Sequence, residues 1–140
     1  MTWIQLVSMV CSVNFNPSLP AQISSVSSQY NVDETIILAV IHTESTCRPD
    51  AIGTSNDSGL MQIVPKWHQD RMEALKVDDL FDPNQNIMVG VSFLSDLGLN
   101  SDPIKALAIY NGGYSKPKVS YLYARKVMSK AEEYKLLLEN

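Results

Sequence analysis

The chain has little positive charge: 15 acidic against 11 basic residues leave a net charge of -4 over 140 residues. Nucleic-acid binding draws most of its affinity from a clustered basic surface, so no nucleic-acid partner is expected. Histidine is scarcer still. His42 and His68 are the only two, no spaced set of ligands suggests a metal centre, and no cofactor is implied. Cysteine is limited to Cys11 and Cys47. They can pair once, but nothing in the sequence brings them together, and two buried thiols are the expectation. The apolar stretch from Trp3 to Val13 is shorter than a membrane span and lacks a basic flank, so stable membrane insertion is not expected. That stretch fits a packed first helix better than a signal peptide. Repeats, low-complexity tracts and long linkers are absent.

What is present suits a globular protein. A hydrophobic fraction of 45% argues against disorder. The length fits a single domain over residues 1–140 with one substantial core.

From Asn31 onward the pattern is of helices separated by turns. Asn31 and Glu34 have the spacing of a capping box, and Ile37, Val40, Ile41 and Glu44 then recur at helical spacing. Ile36 widens this stripe, as expected of a central helix. The helix is expected to stop between Cys47 and Pro49. Asp50 to Ser58 has the composition of a loop. A second helix is predicted from Pro65 to about Leu75, and a third after Asp82-Pro83, with Ile87, Val91 and Leu94 inward and Gly98 at its end. Ser101-Asp102-Pro103 opens a short helix to about Tyr110, which Asn111-Gly112-Gly113 ends. A last helix is predicted from about Val119 to Leu138, packing through Leu122, Tyr123, Val127, Tyr134 and Leu138. Leu60 to Val64 is the one segment suited to a strand, as an edge of a small hairpin.

Glu44 stands out because it ends an apolar stripe. A lone helical glutamate is ordinarily a solvated surface residue. This one shares its face with Ile37, Val40 and Ile41 and precedes a polar loop that can fold over it. Partial desolvation raises a carboxyl pKa, and an acid still protonated near neutral pH can protonate the leaving oxygen of a glycosidic bond.

The run Glu44-Ser45-Thr46-Cys47-Arg48-Pro49-Asp50-Ala51 resembles the catalytic motif of the soluble lytic transglycosylases, a family related in fold to goose-type lysozyme. Four further segments resemble that family in order. They are Gly59-Leu60-Met61-Gln62-Ile63 with Pro65, Asp82-Pro83 with Asn86-Ile87 and Gly90, Ala108-Ile109-Tyr110-Asn111-Gly112-Gly113, and Tyr123-Ala124-Arg125-Lys126-Val127. Together they span about Ile36 to Val127, within a motif-bearing core of about residues 31–128.

The resemblance implies a mainly α, lysozyme-like α+β fold: a compact helical domain built around the glutamate helix, with room for a minimal hairpin. It implies cleavage of peptidoglycan glycan strands with Glu44 as acid and then base. Ser45 would orient Glu44, while Met61, Gln62 and Ile63 would line sugar subsites. Tyr110 and Asn111 would fix Glu44 or an acetamido group, and Tyr123 would close the site. Each has a plainer alternative: Met61, Tyr110 and Tyr123 as core residues, Asn111 as a helix terminator. Gln62 interrupts an apolar run and so is expected to make specific hydrogen bonds.

The sequence departs from the family pattern at Cys47, where an aromatic is usual, and at Asn56-Asp57-Ser58 before Gly59. Asp57 is a candidate second carboxylate, as in hydrolytic glycosidases, but more simply a turn-former bonded to its own backbone. Three activities therefore stand: a transglycosylase leaving 1,6-anhydro ends, a muramidase adding water to the same bond, and a noncatalytic glycan-binding or structural module. Peptidoglycan is itself acidic, so the net charge favours none of them. The expected place of action is the periplasm or cell wall. With no clear signal peptide, delivery would fall to a holin, a secretion machine or a phage particle.

Overall fold

The computed structural model describes residues 1–115 and 117–139. They form seven α-helices: α1 Trp3–Cys11, α2 Leu19–Tyr30, α3 Glu34–Ser45, α4 Gln69–Leu75, α5 Pro83–Asp96, α6 Pro103–Gly112 and α7 Lys118–Glu139. Short 3-10 turns occupy Ser12–Asn14 and Pro65–Trp67.

Helix α3 is central. Every residue from Thr35 to Ile41 is buried, as expected for a helix apolar on all sides rather than along one stripe. It packs against α1, α2 and α7. Its N-terminus differs from the expected Asn31–Glu34 box. Asp33 is the cap, its carboxylate accepting from the Thr35 amide at 2.8 Å and the Thr35 hydroxyl at 2.7 Å. Asn31 instead ends α2 in the left-handed conformation, with φ 53°, a role asparagine tolerates well. Glu34 accepts from Ser24 of α2 at 2.8 Å. Asp33 also pairs with Lys135 of α7 at 3.1 Å.

The α+β expectation fails, and with it the hairpin at Leu60–Val64. Among the described residues the fold is all-α, with only isolated bridges, Ile52 to Ser58 and Ser58 to Ile63. The physical reason lies in the Gly59–Gln62 turn. Gly59 and Gln62 have positive φ, 77° and 53°, and the consecutive residues Leu60 and Met61 are both buried. The half-exposed edge strand of a small hairpin alternates buried and exposed side chains at negative φ and would do neither. Asn86 of α5 holds this turn: its carbonyl accepts from the Met61 amide at 2.8 Å, and its amide donates to the Ser58 and Leu80 carbonyls, each at 2.8 Å. Gly90, one turn on, leaves space for Met61, because a Cβ there would collide with the Met61 sulfur.

The expected Pro65–Leu75 helix is divided at His68, whose φ of -127° is not helical. Asp82 caps α5 through Gln85, and Gly98 follows its end at φ 84°, both as expected. Helix α6 runs through Asn111 and Gly112, so that Gly113 alone supplies the left-handed stop. Leu122, expected to pack, is 63% exposed.

The cysteines also depart from the expectation of free thiols. Cys11 and Cys47 form a disulfide with a Cα–Cα distance of 5.5 Å, joining the end of α1 to the segment just past α3. Asn14 reinforces this link by donating to the Thr46 carbonyl at 3.1 Å.

Candidate active site

Glu44 occupies the last turn of α3, half-buried, where the chain leaves the helix through two successive left-handed residues, Thr46 and Cys47. Its Oε2 accepts a hydrogen bond from the Tyr123 hydroxyl of α7 at 2.7 Å. Burial pushes the carboxyl from an ordinary 4.5 up to about 7; the Tyr123 bond opposes this rise and the charge of Asp57 adds to it. Desolvation outweighs the hydrogen bond, so near neutral pH a large fraction of Glu44 retains its proton. Burial, with the Glu44 charge adding to it, also raises Tyr110 and Tyr123 well above the usual phenol range, so both remain donors.

Two further contacts fix the end of α3 against α7. Lys130 donates to Thr43 Oγ1 at 3.0 Å, and its ammonium lies 2.9 Å from His42 Nδ1. Burial, followed by the charges of Lys130 and Lys126, lowers the His42 pKa. The neutral ring can thus accept from Lys130.

The other predicted residues divide by role. Ser45 makes no hydrogen bond to Glu44. Its hydroxyl bonds the Leu60 carbonyl at 2.7 Å and the Ile41 carbonyl at 3.1 Å, bracing the helix end against the Gly59–Gln62 turn. The Met61 side chain is fully buried and so cannot line a sugar subsite. Its carbonyl accepts from the Tyr110 hydroxyl at 2.6 Å. Gln62 makes the specific bonds expected of it, donating to the Gly59 carbonyl at 2.9 Å and the Ala51 carbonyl at 3.1 Å. Asn111 accepts from Ser120 at 2.9 Å and does not bond Glu44. Asp57 forms its own turn, its carboxylate accepting from the Ser55 amide at 3.1 Å and its carbonyl from the Gly53 amide at 2.8 Å.

A groove of about 860 Å³ adjoins this site. Gln62, Ile63, Tyr110 and Asn111 are among its walls, and Glu44 is not. Tyr110 lines the groove, and the Glu44 charge adds to the rise of its phenol pKa. From Tyr110 a row of rings continues to Phe93, with centroids 5.5 Å apart, and to His68, 4.5 Å beyond it and edge-on. Arg71 lies over Phe93 at 5.3 Å and is held by Ser92 and Asp96. Trp67 and Tyr114 are also among the lining residues. Sequence reasoning did not single out Phe93, Trp67 or Tyr114, because Phe93 looks like any core aromatic and Trp67 and Tyr114 sit in turns without periodicity. Among the described residues, no group of three His, Cys, Asp or Glu side chains could hold a metal ion.

The sequence pattern of the transglycosylase SLT domain matches residues 22–131. The chain belongs to that family. It is 34% identical over 131 residues to membrane-bound lytic murein transglycosylase C of Pectobacterium atrosepticum, covering 79% of this chain and 35% of that protein. It is 35% identical over 92 residues to a transglycosylase of Enterobacteria phage PRD1, covering 65% and 33% respectively. The chain thus spans about a third of the length of these curated relatives. Its fold matches that of an inactive glutamate-to-glutamine mutant of the lytic transglycosylase Slt from Pseudomonas aeruginosa. That match has a TM-score of 0.75 at 20% identity and covers 85% of this chain and 24% of the other. Helix α1, including Cys11, lies outside the matched family region.

Proposed function

We propose that this SLT-family chain is a peptidoglycan lytic transglycosylase. It cleaves the β-1,4 bond between N-acetylmuramic acid and N-acetylglucosamine and acts as a single unit on glycan strands in the periplasm or cell wall. The observation that carries this reading is the half-buried Glu44, raised to about 7 and held by Tyr123 at the end of α3.

In the first step Glu44 gives its proton to the glycosidic oxygen as the C1–O bond breaks. The substrate's own 2-acetamido oxygen bonds to C1, which suits a site where Glu44 hydrogen-bonds a phenol rather than a second carboxylate. The ionised Glu44 then removes the proton of the C6 hydroxyl. O6 attacks C1, the acetamido oxygen departs, and the sugar closes to a 1,6-anhydro ring with Glu44 protonated again. Because O6 belongs to the same sugar, this second step has the advantage of an intramolecular reaction. Tyr123 stabilises the ionised form, and the Ser45 and Lys130 contacts hold the helix end that carries the acid.

A muramidase reaction is the second reading, favoured by one observation: the Asp57 charge reaches Glu44. Mass spectrometry of products from purified murein separates the two. Muropeptides ending in 1,6-anhydro-muramic acid are expected. Reducing ends carrying added water would make the chain a hydrolase with Asp57 as its second carboxylate, and intact murein would leave a glycan-binding module. The similarity to a phage transglycosylase supports a setting in phage assembly or lysis, beside delivery by a secretion machine.

The pH profile gives a second test. Cleavage should fall as pH rises above about 7, where Glu44 loses its proton. The Tyr123 bond lowers the Glu44 pKa, so Tyr123→Phe is expected to move this alkaline limb upward. The rate at pH 6 should drop roughly tenfold, the size expected for one lost hydrogen bond to a charged group. An unmoved limb in Tyr123→Phe would remove the phenol from the mechanism.

A further inference from the structure

Trp67 has no evident part in holding the fold. It is 71% exposed, on the Pro65–Trp67 turn that precedes α4. The chain's other tryptophan, Trp3, is packed against the core and donates its indole N–H to the Pro20 carbonyl at 2.9 Å. A single exposed aromatic is unremarkable on a protein surface. Here, however, two lie in one groove, since Tyr114 also lines it and is 76% exposed. The groove also takes in Tyr110, Phe93 and His68, while Glu44 is not among its lining residues. The Lys66 ammonium stands 4.8 Å from the centre of the Trp67 ring. It makes a cation–π contact with the indole while leaving most of the ring in water.

An exposed indole in a groove whose walls mix apolar and polar side chains suits a flat ligand with one apolar face. The axial C–H groups of an N-acetylhexosamine ring provide such a face, while its hydroxyl and acetamido groups can reach Asn111 and Gln69 in the same lining. Rigid aromatics of this kind bind at low cost in conformational entropy and dominate binding energy where they occur. We propose that Trp67 is a sugar-stacking platform remote from the cleaved bond, with Tyr114 as its companion, which makes the enzyme favour glycan strands long enough to span from Glu44 to Trp67. The identity of the sugar rests on the glycan-cleaving function proposed above.

The test is titration of N-acetylchitohexaose against the wild type, Trp67→Ala and Trp67→Phe, following tryptophan emission and, independently, calorimetric heat. Trp67 is exposed, so circular dichroism and melting should be the same in all three. Hexaose should shift wild-type emission and leave that of Trp67→Phe, which reports Trp3 alone, unchanged. Affinity should fall about tenfold in Trp67→Ala and recover to within about threefold in Trp67→Phe. On polymeric murein the Trp67→Ala loss should appear in KM with kcat little changed, because the contact is the same in ground and transition states. Equal hexaose affinity in Trp67→Ala and wild type, or no hexaose binding by the wild type, would overturn the proposal. The two ideas fail separately. Hexaose binding that depends on Trp67 in a protein that leaves murein intact would preserve the platform and end the Glu44 mechanism. Murein cleavage with Trp67-independent binding would do the reverse.

Discussion

Glu44→Gln is expected to lower kcat for murein cleavage by roughly a thousandfold, within the range for removing a positioned acid–base group. The amide can still accept from Tyr123 and fills nearly the same volume, so the variant should fold and bind glycan normally. It should also be more stable than the wild type in alkaline solution. Glu44 has its folded pKa raised from 4.5 to about 7, so its contribution to stability is fully present below 4.5 and is lost as pH rises through 7. Above that value, ionising the half-buried carboxyl costs the wild type about 3 kcal/mol, a cost that the neutral amide does not carry. Melting curves at pH 4 and pH 8 test this. The two proteins should melt alike at pH 4, and Glu44→Gln should melt higher at pH 8. Full activity in Glu44→Gln would end the catalytic assignment. Equal melting at pH 8 would mean that the carboxyl is better solvated than its surroundings indicate.

The second large effect is expected from the disulfide. Cys11 and Cys47 are 36 residues apart, and closing a loop of that size restricts the unfolded chain by about 4 kcal/mol. For a protein of this length, the double variant Cys11→Ala with Cys47→Ala should melt about 10–15 °C lower. The effect should reach the active site, because Cys47 follows Glu44 by three residues and ties the end of α3 to α1. Without the bridge, the hydrogen bond from Asn14 to the Thr46 carbonyl still links the two segments, but the Tyr123–Glu44 bond should become less uniform. Wild-type protein melted with and without reductant gives the simplest measurement. Coincident curves would show that the bridge adds nothing to stability.

Much of the helical framework was evident in the residues alone. Asp82-Pro83 and Asp102-Pro103 announced α5 and α6 because a carboxylate cap and a proline at the first turn act locally, through neighbouring amides. Gly98 and Gly113 ended helices for an equally local reason, the freedom of glycine at positive φ. The Asn31–Glu34 box misled because spacing cannot tell whether an asparagine closes one helix or opens the next. The run Leu60 to Val64 misled because β-like residues in a short stretch do not reveal a turn held from outside. Asn86, more than twenty residues away in sequence, imposes that turn through two hydrogen bonds, to the Met61 amide and the Ser58 carbonyl.

The candidate site divides along the same line. The sequence by itself determined that Glu44 ends an apolar helix, that Gln62 needs hydrogen-bond partners, and that five ordered motifs place the chain in the transglycosylase SLT domain family. Only the tertiary structure decided that Tyr123 holds Glu44, that Ser45 and Tyr110 turn to the Leu60 and Met61 carbonyls, that Met61 lies in the core, and that Cys11 reaches Cys47. The first group follows from periodicity and from chemistry within a few residues. The second depends on which helix faces are brought together across dozens of residues, and that is set by packing the whole core at once.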